Sequence, residues 1–148
     1  PIHIYSALML ADNLSEGKSF YMKEVDTIKD MIDRSQDGNT HLFLFDEIFK
    51  GTNTTERIAA AKSVLSYLNT PDNIIVASTH DTELATLLDT EYDLYHFSEV
   101  IHGNSFSFDY KLKSGPLYRR NAIRLLEING FPPAIIQDAY RTIDGMQA

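Results

Sequence analysis

An α/β fold with a mostly parallel sheet flanked by helices is predicted by three observations. Two short apolar runs, Leu42-Phe43-Leu44-Phe45 and Ile74-Ile75-Val76-Ala77, have the length and residue types of buried strands. The segments before and between them repeat apolar residues at helical spacing. After residue 91 the pattern changes to an antiparallel hairpin followed by two C-terminal helices. The predicted order is β-α-β-α-β-α, hairpin, helix, helix.

Each element has a local reason. His3 to Leu10 is apolar and enters the sheet as a strand, and Asp12 to Lys18 is a polar loop. From Ser19 a helix is expected, with Met22, Val25, Ile28 and Ile32 at helical spacing and Gly38-Asn39 as its break. Strand 41–46 follows, with four bulky residues that predict burial on both faces. Asn53 and Glu56 have the spacing of a capping box, and the helix they open carries Ile58, Ala61, Leu65 and Leu68 on one face. Thr70-Pro71-Asp72 ends it, before strand 74–78 and a short helix from Thr82 to Leu88.

Leu94 to His102 and Ser105 to Leu112 form two strand candidates joined by Gly103-Asn104, a favoured two-residue turn. Phe106, Phe108, Tyr110 and Leu112 alternate onto one face. Tyr5, Tyr95, Phe97, Phe106 and Phe108 are expected to pack in the core and sheet rather than to stack bases. Arg119 to Asn129 predicts a helix stopped by Gly130, and Pro132-Pro133 starts a last one carrying Ile135, Ile136, Ala139 and Ile143.

Composition narrows the function. With 148 residues, 43% hydrophobic and 23% charged, the chain is sized for one globular domain. No run approaches the roughly 18 apolar residues of a membrane span, and no signal peptide opens the chain. The absence of cysteine excludes a disulfide framework and a cysteine-zinc cluster, in keeping with a reducing, cytoplasmic setting. A formal charge of −8 argues against a direct nucleic-acid surface, which needs clustered Lys and Arg. Pro1 in place of Met marks the chain as an expected piece of something longer.

Chemistry concentrates where the strands end, the edge at which open α/β sheets bind ligands. Asp46-Glu47 after an apolar strand matches the Walker B pattern. The first carboxylate can orient a hydrated Mg2+, and the second can take a proton from an attacking water. His80, after Ala77-Ser78-Thr79, is brought beside them by a βαβ unit, where it can hold a terminal phosphate; it equally suits a structural strand end. Ser19, after Gly17-Lys18, suits either a helix cap or an anion site at a helix start. Gly51-Thr52-Asn53-Thr54 is either a loop between two nucleotide sites or a relaxed turn with a cap. Of the cations, Lys18 can touch phosphate, Arg57 has no assigned partner, and Arg119, Arg120 and Arg124 suit a helix face or pairing with the acidic surface. A Gly-x-x-x-x-Gly-Lys-Ser/Thr loop is missing, since Asp12 stands where Glu16-Gly17-Lys18-Ser19 would need its upstream glycine. Hydrolysis of ATP by this chain alone is therefore not expected.

With these motifs in order, nearly the whole chain resembles the ATPase domain of the MutS family, a branch of the ABC-type ATPases. Asn13 to Glu24 is similar to the family's signature segment, Phe43 to Thr54 to Walker B plus the D-loop, Ala77 to His80 with Glu83-Leu84 to its His switch, and Gly130 to Ala139 to its closing helical segment. The resemblance implies that residues 1–148 are the C-terminal portion of a MutS-like ATPase domain, part of a P-loop NTPase fold, without the upstream Walker A loop. It implies Asp46 as the Mg2+-associated carboxylate, Glu47 as catalytic, His80 as γ-phosphate sensor, and Ser19 with Gly51, Thr52, Asn53 and Thr54 facing ATP. It further implies a homodimer through the ATPase face, an ATP-driven clamp, DNA held by other domains and no membrane. Phe20, Phe49 and Lys50 depart from the mismatch-repair branch, and Arg119-Arg120-Asn121-Ala122 is closer to the diverged branch without mismatch-recognition domains. Two alternatives stay open: a non-catalytic dimerisation and docking module, and an ABC ATPase of another chromosome-maintenance system.

Overall fold

A computed structural model describes residues 1–8, 20–117 and 121–146. Ser19, with Lys18 and the end of the first predicted strand, lies outside the described residues, as do Arg119 and Arg120. The chain divides into two compact units, Pro1–Asp93 and Leu94–Ala148.

In the first unit, strands β1 (Ile2–Ala7), β2 (Thr40–Asp46) and β3 (Asn73–Ser78) form a parallel sheet in the order β1-β2-β3. The register aligns Tyr5 with Phe43 and Phe43 with Ile75. Helix α1 (Phe20–Arg34) links the first two strands, and α2 (Thr54–Leu68) the second pair; α3 (Thr82–Leu87) follows. Two parallel crossovers stepping the same way across a sheet, each right-handed, place their helices on the same face. The core obeys this: Ile28 and Met31 of α1, Ala61, Leu65 and Leu68 of α2, and Leu84 and Leu88 pack with Phe43 and Phe45. His41 is buried in the same row, stacked on Tyr5.

The expectation that β2 is buried on both faces is corrected. Phe43 and Phe45 are buried, whereas Leu42 and Leu44 are half-buried and Ile4, Ile74 and Val76 beside them are exposed. Side chains alternate across a strand, so one face meets the helices and the other stays open in this chain.

Local chemistry fixes the ends. Asn53 caps α2 through Oδ1, which accepts from Glu56 N at 3.0 Å, a cap contributing roughly 1 kcal/mol. Gly38, at φ 76°, follows the short 3-10 turn Ser35–Asp37 that ends α1. Tyr92 closes the unit by donating to Leu65 O at 2.7 Å, and burial pushes its phenol up to about 12.

In the second unit, β4 (Tyr95–His96) pairs with β7 (Lys113–Ser114), and β5 (Glu99–His102) with β6 (Ser105–Phe108) around the predicted Gly103-Asn104 turn. Helices α4 (Ala122–Ile128) and α5 (Pro133–Met146) follow, with Gly130 at φ 75° between them. The aromatic core expectation fails here. Tyr95, Phe97, Phe106 and Phe108 are all exposed, the last two meeting edge to face at 5.8 Å. Tyr110 has φ 53° and stands outside the strand, which ends the alternation the sequence suggested. Tyr5 alone of that set is packed as expected, against His41 and Phe43. Among the described residues no helix is long and apolar enough to cross a membrane.

Candidate functional site

The carboxyl edge of β2 and β3 brings three of the predicted residues together. Asp46 is the last residue of β2 and is aligned with Ser78, whose hydroxyl donates to Asp46 Oδ1 at 2.6 Å. Glu47 extends the ladder by one bond, its N–H donating to Ser78 O at 3.1 Å. Its backbone then turns left-handed, with φ 53°, a conformation that costs a residue with a Cβ on the order of 1 kcal/mol. The two adjacent carboxylates have different partners: Ser78 for Asp46, and His80 and Lys50 for Glu47.

Both Glu47 oxygens face donors. His80 Nε2 lies 2.8 Å from Oε1, and Lys50 Nζ 2.9 Å from Oε2. The carboxylate in turn holds the Lys50 ammonium above its ordinary value, chiefly by that hydrogen bond. His80 is 89% exposed and Lys50 63%, against 25% for Glu47. Contacts that exposed are weakened by water, so both donors can be displaced at little cost.

The loop carrying His80 is fastened to α2. Arg57, in the first turn of α2, donates from Nε and Nη2 to the two Asp81 oxygens, both at 2.8 Å. That pair is mostly buried and raises the guanidinium above its ordinary value. Thr79 Oγ1 accepts from Asp81 N at 3.0 Å. Glu47, Lys50, Arg57, Thr79, His80 and Asp81 line a shallow cavity of about 160 Å³. A larger cavity of about 250 Å³ lies among Gln36, Tyr67, Thr70 and Asn73, at the amino edge of the strands.

The predicted loop residues have partners within the chain. Gly51 sits against Tyr21, and a Cβ there would come 2.8 Å from Tyr21 Cβ. Thr52 Oγ1 is 3.4 Å from Glu56 Oε2, Asn53 caps α2, and Thr54 Oγ1 accepts from Arg57 Nη2 at 3.5 Å.

Two features escaped the sequence reading. One is the Arg57–Asp81 pair. The other is Glu24, buried in α1, whose Oε1 accepts from Phe49 N at 2.5 Å. Its spacing to Ile28 and Met31 puts it on the apolar stripe of α1, and a carboxylate there is a signal of an internal partner.

Among the described residues no group of three or more His, Asp or Glu side chains is disposed to hold a metal. Mg2+ asks for less: one or two carboxylate oxygens, with waters and phosphates completing its octahedron. Exposed Asp46, with the Ser78 hydroxyl beside it, is an oxygen-only set that fits this pattern.

The family description MutS domain V matches residues 2–147. The chain is 28% identical over 149 residues to the DNA mismatch repair protein MutS of Listeria monocytogenes, a match covering 97% of this chain and 17% of that protein. It is 27% identical over 150 residues to the protein of the same name from Listeria innocua, covering 98% and 17%. The counterpart in Streptococcus suis is 29% identical over 149 residues, covering 97% and 17%. The chain thus spans about a sixth of the length of these relatives.

Proposed function

The chain belongs to the MutS domain V family, and from that premise we propose that it forms the hydrolytic edge of an ATPase domain within a longer DNA-repair protein. The observation carrying this reading is the 2.8 Å pairing of His80 with Glu47 at the strand edge beside Asp46.

In this reading Glu47 is the general base. One of its oxygens takes a proton from the water that attacks the γ-phosphate, after Lys50 or His80 has been drawn off by phosphate charge. His80, released from Glu47, hydrogen-bonds the γ-phosphate through Nε2. Asp46 would hold Mg2+, with Ser78 orienting the carboxylate, and the ion when bound supplies charge neutralisation at the phosphates. Ser19 and the loop Gly51 to Thr54 face the nucleotide of a second copy, so that two copies share composite sites and ATP works a clamp. The chain's charge of −8 leaves contact with DNA to other domains, inside the cell, of the longer protein.

The test is ATP turnover of the longer protein beside its Glu47→Gln variant. Retained nucleotide binding with hydrolysis reduced by about 100-fold or more is expected for a lost general base. Equal turnover in the two proteins would overturn the reading and favour a non-catalytic docking module.

A further inference from the structure

Glu24 is a buried carboxylate that the proposed chemistry does not use. It is 5% exposed, and Oε1 accepts from Phe49 N at 2.5 Å. The backbone amides of Lys50 and Gly51 act on the same carboxylate, while Oε2 is buried without a well-formed hydrogen bond. The Phe49 N–H donates directly, the next two amides favour the charged form, and the left-handed Phe49, at φ 60°, carries the donating amide, an arrangement akin to an anion-binding backbone turn. Here the anion comes from the protein's own α1.

A second contact locks the same loop to the same turn of helix. Gly51 lies so close to Tyr21 that a Cβ would meet Tyr21 Cβ at 2.8 Å, Cα at 3.1 Å and N at 3.2 Å. The Tyr21 and Phe49 rings are 6.3 Å apart. Only Ile48, itself buried, separates Phe49 from Glu47 along the chain. On the other side, Lys50 returns to the Glu47 carboxylate at 2.9 Å. A displacement of the start of α1 therefore reaches Glu47 through a few stiff backbone links.

Burying a carboxylate is costly, and an apolar residue of similar size would serve packing alone better. The amides explain why a carboxylate stands there. We propose that Glu24 is a positioning residue: it clasps the Phe49 to Gly51 backbone, setting the orientation of Glu47 and tying that orientation to α1. This rests on the reading of Glu47 as the base.

The experiment compares Glu24→Leu, which fills the volume without an acceptor, with Glu24→Gln, which keeps an acceptor oxygen. Both are made in the longer protein that carries this chain. Steady-state ATP turnover and hydrogen exchange at residues 49–51 are measured beside the melting temperature. Glu24→Leu is expected to lower kcat by about 10- to 100-fold, the scale of a misplaced catalytic group. Its KM should change by less than about twofold, since the clasp acts on the base and not on binding. Exchange at residues 49–51 should accelerate, and Glu24→Gln should restore most of both. Should Glu24→Leu not fold, Glu24→Asp withdraws the oxygens by one methylene and carries the same expectation. Wild-type kcat in a folded acceptor-free or shortened variant would overturn the proposal, as would unchanged exchange at residues 49–51. If Glu47→Gln also leaves turnover intact, the functional reading has failed, and exchange alone then decides whether the clasp exists.

Discussion

Arg57 and Asp81 are joined by two N–H···O bonds of 2.8 Å each, a fork that ties the first turn of α2 to the residue after His80. Only Arg among the cations can make this planar two-point contact. The fork ties down the backbone next to His80, and Arg57 and Asp81 line the same cavity as Glu47 and His80.

Replacing Arg57 by Lys keeps the charge and removes one of the two bonds. A loss on the order of 1 kcal/mol is expected from chemical denaturation, as for a charge-assisted hydrogen bond partly open to water. Asp81→Asn should cost a similar amount. The double variant should cost less than the sum of the singles, because the two residues share one interaction. Additive losses would show that the fork contributes nothing.

Glycine contacts predict two substitutions of opposite sign. At Gly51 a Cβ would press on the Cβ, Cα and N of Tyr21, none of which a rotamer change can clear. Gly51→Ala should therefore destabilise by about 1–3 kcal/mol, as overpacking does. At Gly145, inside α5, an added Cβ meets nothing within 4 Å. Gly145→Ala should stabilise by up to about 1 kcal/mol through helix propensity. Thermal unfolding of the two variants beside the parent checks both signs.

What was legible in the sequence is what short stretches dictate. Asn53 and Glu56 are three residues apart and announce their cap; Gly103-Asn104 announces its turn; Asp46, Glu47 and His80 follow from strand ends. The missed features join distant positions. Glu24 reaches Phe49 across 25 residues and Arg57 reaches Asp81 across 24. No local pattern encodes such a pair, although an acidic residue on an apolar stripe gives half of the first. The one-sided sheet was hidden for another reason. The apolar run in β2 looks the same whether one face or both are covered, and only the direction of the crossovers decides.

Glu24 also makes stability depend on pH. Burial pushes its carboxyl above the ordinary value of 4.5, and the amides of Phe49, Lys50 and Gly51 pull it only partly back. The folded chain then binds this proton more tightly than the unfolded chain does. The resulting stability is fully present below 4.5 and is lost as pH rises through the folded value. Glu24→Gln cannot titrate, and other groups are common to both proteins. The variant's stability relative to wild type should therefore rise across that window and then level off. Urea midpoints at pH values from about 4 to about 8 would show this, and a constant difference would contradict it.

The open face of the sheet makes the last prediction, a contrast between neighbouring strands. Phe43 in β2 is fully buried against α1 and α2, and Phe43→Ala leaves a cavity that cannot fill without moving both helices. A loss of about 3–5 kcal/mol is expected. Val76 in β3 is 57% exposed on the other face. Val76→Thr keeps the β-branched shape that suits a strand and puts a hydroxyl where water can reach it. It should change the stability of the 148-residue chain by no more than about 0.5 kcal/mol. Urea denaturation of both variants decides between one covered face and two. A loss at Val76 approaching that at Phe43 would mean that the chain covers this face in solution.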